Sequence, residues 1–102
     1  MQNQNTITKS ENKVLFDLGQ TVMTIGAREA LKESNQTASK FLARHQIGDW
    51  GLVCADDRRE NDLSVKEGFR ILSAYKTSEG ERLWIITEAD RCLSTILLPS
   101  EY

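Results

Sequence analysis

His45 is the only histidine in this 102-residue chain and the only side chain whose ordinary pKa lies close to neutrality. Asp49, four residues on, could orient it as an acid-base pair. The same histidine sits in the last turn of a predicted helix, where it can serve the terminal carbonyls and pack beside Phe41 and Leu42, and that structural use is favoured. Glu88, Asp90 and Arg91 form a second charged group. Two neighbouring carboxylates can share a proton or attract a cation, but they supply too few oxygens for a metal site. The expected arrangement pairs Glu88 with Arg91 across a hairpin end and leaves Asp90 to shape the turn. If these residues did chemistry, it would be in a pocket joining His45, Asp49 and Glu88. Cys54 and Cys92, with a single histidine, cannot make a four-ligand zinc centre of the usual Cys/His kind, so no metal and no cofactor is implied.

Nucleic acid is not the expected partner. The formal net charge is −2, and the basic step Arg58-Arg59 is flanked by Asp56, Asp57 and Glu60. Two short helices joined by Ser34-Asn35-Gln36 invite a helix-turn-helix reading, with Lys40 and Arg44 reaching phosphates. The aromatic and apolar residues of the second helix stand against it. The first twelve residues are polar, with no apolar leader, and no stretch approaches the roughly 20 apolar residues that span a bilayer. A cytoplasmic protein with reduced thiols is the expectation.

The elements that must position these residues are those of one α+β domain over 13–102, preceded by a mobile polar tail at 1–12. Strand-like residues 21–25 precede a short helix, Ala27 to Glu33. Residues 14–18 form a weaker strand candidate. Thr37 is a good N-cap for a helix from Ala38 to Gln46, and a third helix starts at Asp56 or Asp57 and stops before Gly68. Three strand-like runs follow: Phe69 to Lys76, Glu81 to Glu88 and Cys92 to Leu98. Together they predict an antiparallel sheet with a C-terminal meander, in the order β-α-α-α-β-β-β, with the helices packed on one face.

Taking Lys76 opposite Glu81 and Glu88 opposite Arg91, alternation assigns the faces. Leu72, Ala74, Leu83, Ile85, Cys92, Ser94, Ile96 and Leu98 form the core face. The other face carries Ile71, Ser73, Tyr75, Arg82, Trp84, Ile86, Leu93, Thr95 and Leu97. Each large apolar residue left in water there would forgo roughly 1.5–3 kcal/mol, so this face wants a cover or a partner. Tyr75, Trp84, Ile86 and Leu93 are its candidate anchors. Trp50, between Gly48-Asp49 and Gly51, serves either as an inward plug, the favoured use, or as a further anchor. The expected function is a non-enzymatic interaction module that binds a protein partner or a second copy of itself; the alternative is a small enzyme or ligand-binding domain at the His45, Asp49 and Glu88 pocket.

Phe41-Leu42-Ala43-Arg44-His45, Gly48-Asp49-Trp50-Gly51 and Leu83 to Arg91, with the ending Thr95 to Tyr102, resemble a family of short uncharacterised bacterial proteins labelled hypothetical or plasmid-related. Some members carry the label of a type I restriction-modification subunit. A methyltransferase subunit would need a nucleotide-binding α/β domain with a glycine-rich turn after its first strand, which this order of elements does not contain. The resemblance implies a mobile-element setting and a role in defence or counter-defence. It brings no catalytic residues.

Overall fold

The computed structural model describes residues 13–102; the tail expected at 1–12 lies outside them. Strand β1 (Gln20–Met23) leads into helices α1 (Ile25–Ser34), α2 (Ala38–Gln46) and α3 (Ala55–Glu67). Strands β2 (Ile71–Lys76), β3 (Arg82–Thr87) and β4 (Leu93–Leu97) follow, and a 3-10 turn (Pro99–Glu101) ends the chain. The element order is the one the sequence predicts. The sheet is not purely antiparallel, however: the strands lie in the order β1-β4-β3-β2, and β1 runs parallel to β4. The helical crossover carries the chain back to the end of the sheet where β1 began, so β2 runs in the direction of β1. Two hairpin reversals then give β4 that same direction.

The 21–25 run divides at Thr24. Thr24 leaves the strand, and its hydroxyl accepts from the Ala27 amide 3.1 Å away, so Ile25 begins α1 rather than ending β1. Gly26 lies in the first helical turn, where a Cβ would come within 2.5 Å of the Glu101 carboxylate. That carboxylate accepts from the Thr24 hydroxyl and from the amides of Gly26 and Leu98, which hold it below the usual carboxylate range, and it ties the C-terminal turn to the start of α1. Residues 14–18 are not a strand. They cross the end of α2, with the Leu15 amide on the Gln46 carbonyl and the Phe16 ring turned into the core.

The two hairpins decide the faces. Thr77, not Lys76, closes the first: its amide donates to the Glu81 carbonyl at 2.8 Å, and its hydroxyl accepts from the Glu81 amide at 3.1 Å. Gly80, at φ 91, occupies the left-handed position of a three-residue loop. The expected loop was one residue longer, so every β2 side chain lies on the face opposite to the one expected. Tyr75 is paired with Leu83, Ser73 with Ile85 and Ile71 with Thr87, all facing the helices, whereas Leu72 and Ala74 turn to the outer face. The second hairpin also differs from expectation. Its loop runs from Ala89 to Cys92, with the Glu88 amide on the Leu93 carbonyl. Here the register moves by two, so the β4 faces hold. Cys92 falls in the loop and is exposed instead of facing the core.

Tyr75, Leu83, Ile85 and Ile96 make the main core with Ala27, Ala30 and Leu31 of α1 and Phe41 of α2. A second cluster joins Phe16, Trp50, Val53, Ile71 and Ala74, with Leu72, Val65 and Trp84 at its margin. The outer edge of β2 is closed twice. The Asn61 amide group of α3 donates to the Leu72 carbonyl and accepts from the Leu72 amide, at 2.8 and 3.1 Å. Ala74 exchanges backbone bonds with Trp50 and Leu52. Gly51 is required in that exchange: its φ is +76, and a Cβ would lie 2.0 Å from the Ala74 carbonyl oxygen.

Candidate functional site

His45 lies one turn after Phe41 on the buried side of α2, and it is fully enclosed. Its Nδ1 is 2.5 Å from the Ser73 hydroxyl and its Nε2 is 2.9 Å from that of Thr87. Thr87 lies 2.7 Å from the Ser94 hydroxyl, which donates to the Leu18 carbonyl at 2.7 Å. The direction of every proton follows from that last acceptor. Ser94 spends its single hydrogen on Leu18, so Thr87 must donate to Ser94 and must itself accept from His45. His45 therefore carries its hydrogen on Nε2, and Nδ1 accepts from Ser73. The chain of bonds links α2, β2, β3, β4 and the segment before β1.

Burial lowers the His45 pKa to about 3, and the nearby Arg91 guanidinium pushes it the same way. Phe16 and Trp50 meet the imidazole edge-on at centroid distances of 5.1 and 5.9 Å. Arg91 lies over the Phe16 ring and donates to the carbonyls of Ser64, Phe69, Glu88 and Ala89. The expected Glu88 to Arg91 ion pair is thus replaced by a guanidinium that gathers four loop and helix-end carbonyls, because the left-handed backbone at Arg91 (φ 61) turns its side chain back under the loop. Asp90 does shape the turn, accepting from the Cys92 amide at 2.9 Å.

The alternative pocket does not assemble. Asp49 forms a two-pronged pair with Arg44, Nε to Oδ2 at 2.7 Å and Nη2 to Oδ1 at 3.3 Å, which holds its carboxyl below the usual range. Both nitrogens of His45 are occupied by hydroxyls, and Glu88 enters the β3–β4 turn through its backbone. Two surface clefts, of about 300 and 410 Å³, are lined by other residues: Asp57, Glu60 and Arg70 in one, Val14, Arg44 and Ile47 in the other. Among the described residues no three His, Cys, Asp or Glu side chains are grouped to hold a metal ion. No helix among them is long and apolar enough to cross a membrane.

The interface candidates separate. Trp50 is the plug, 2 % exposed, with its indole N–H donating to Asp62 at 3.0 Å. Tyr75 is a core residue, 1 % exposed, its hydroxyl donating to the Asp49 carbonyl; burial raises its pKa to about 12. Neither can anchor a partner. Ile86 keeps the outer face but is itself buried, while Trp84 and Leu93 are part-exposed on that face. Tyr102, 70 % exposed, meets Trp84 edge-on at 5.6 Å. The registers align Val22, Thr95, Ile86 and Leu72 in one row across all four strands of the outer face. Sequence reasoning missed this row because it left the partner of β1 unassigned and placed Leu72 on the other face.

No known protein family, curated protein or solved structure matches this chain.

Proposed function

We propose that this protein is an interaction module that works by binding another protein chain rather than by catalysing a reaction. The observation that carries the reading is the set of outer-face side chains that reach solvent, Val22, Thr95 and Leu72 in one row about the buried Ile86, flanked by the part-exposed Trp84 and Leu93. Apolar and aromatic side chains set together on a pleated surface are the usual anchors of an interface. His45, the residue best suited to acid-base chemistry, is enclosed and committed to hydroxyl partners. Taken with the resemblance to plasmid-related bacterial proteins, this reading puts the module's work in mobile-element defence or counter-defence.

The test is binding measured with paired variants. Thr95→Arg puts a charge in the middle of the row, while Lys40→Glu changes the exposed side of α2. Loss of an anchor region costs about 2 kcal/mol or more, so Thr95→Arg should weaken capture of partner chains from host extract, or of a second copy, at least about thirty-fold. Lys40→Glu should not. Equal capture by both variants would overturn the assignment of the outer face.

A further inference from the structure

The two edges of the sheet are treated differently. The β2 edge is covered by Asn61 and by the 50–52 loop. The β1 edge has no such cover among the described residues, and all four residues of β1 are exposed. The amides of Gln20 and Thr24 bond to Cys92 and Ile96, so the amides and carbonyls of the odd-numbered residues, Thr21 and Met23, point away from the sheet. Apart from its shortness, four residues, β1 carries none of the usual protections of an open edge: Gln20-Thr21-Val22-Met23 contains no charge and no proline, and its pairing with β4 is regular.

We infer that the β1 edge is where a second copy of this chain docks, its β1 pairing antiparallel with this one about a two-fold axis at Val22. The inference rests on the interaction reading above and names the partner. Outward-pointing groups on residues two apart are self-complementary: Thr21 of one copy faces Met23 of the other, and each couple exchanges both backbone bonds. Val22 then meets its own equivalent in the close, non-hydrogen-bonded position. The axis stands perpendicular to the sheet, so both outer faces lie on the same side. The row Val22, Thr95, Ile86 and Leu72 therefore continues without a break into its copy, extending the sheet across both chains.

The register predicts which cross-link forms. With Cys54 and Cys92 replaced by serine in the full chain, Val22→Cys puts two thiols on Cα atoms about 4.5 Å apart, near the span of a disulfide. Thr21→Cys puts them on a diagonal of about 7–8 Å, which a disulfide does not bridge without backbone movement. Mild oxidation should convert the first variant to a covalent dimer and leave the second largely unlinked. In sedimentation, the unmodified chain should dimerise with rising concentration, and Val22→Lys should remain monomeric with an unchanged circular dichroism spectrum. An unmodified chain that stays monomeric, a Val22→Lys dimer, or equal cross-linking of both cysteine variants would overturn the inference. If the chain is monomeric while Thr95→Arg still abolishes capture of another protein, the outer face stands and the second copy falls.

Discussion

Acid should loosen this fold through one residue, and the size of the effect can be worked out. In the folded chain His45 is neutral, with a pKa lowered to about 3; in the unfolded chain it returns to about 6.5. Between those values the unfolded state holds one more proton than the folded state, so stability rises with pH and is lost as pH falls below about 6.5. At pH 5 the unfolded imidazole is protonated by a factor of about thirty, which corresponds to about 2 kcal/mol relative to neutral pH. That is a sizeable share of a typical 5–15 kcal/mol. Urea melts monitored by tryptophan fluorescence should show the midpoint falling by roughly 1 M from pH 7 to pH 5. The window is clean because the chain has one histidine. Asp49 and Glu101, whose pKa values are lowered in the fold, contribute stability that is lost mainly below pH 5. An unchanged midpoint across this range would refute both the neutral imidazole and the proton order derived from Leu18.

Two further outcomes test other parts of the structure. Ser94→Ala strands the Leu18 carbonyl and the Thr87 hydrogen without changing the backbone, and should cost about 1–3 kcal/mol in the same melts. Cys54 and Cys92 are both exposed, so a thiol reagent should label the two at comparable rates in native protein, with little acceleration on unfolding; protection of Cys92 would contradict the loop assignment of the second hairpin.

The element order, the start of α2 after Thr37, the inward turn of His45 and the faces of β3 and β4 were legible in the sequence, because each rests on local spacing; the Thr37 hydroxyl, expected to cap the first-turn amides, instead meets that of Ser39 at 3.2 Å. The face of β2 was not. It depends on whether Gly80 closes a three- or a four-residue loop, and a count of turn-forming residues does not distinguish the two. That single residue also hid the candidate site. With β2 turned over, Ser73 was assigned to the outer face, so nothing brought it to His45. Thr87 and Ser94 read as ordinary strand residues, although three inward hydroxyls opposite a lone buried histidine are the pattern that could have revealed the network. The parallel partner of β1 was equally hidden, since no local signal in Gln20–Met23 indicates which strand it will join.

The order of hydrogen bonds from Ser73 to Leu18 also bears on proton conduction. A chain of hydroxyls and an imidazole looks like a wire, and passing a proton along a wire requires that each link be able to turn round afterwards. Here the terminal link is a carbonyl oxygen, which can accept but has no hydrogen to give back. Reversing the other links would leave Ser94 and Leu18 with lone pairs facing across 2.7 Å. The array therefore has one arrangement of its hydrogens and no second state to alternate with, and it works as a fixed polar strut inside the core.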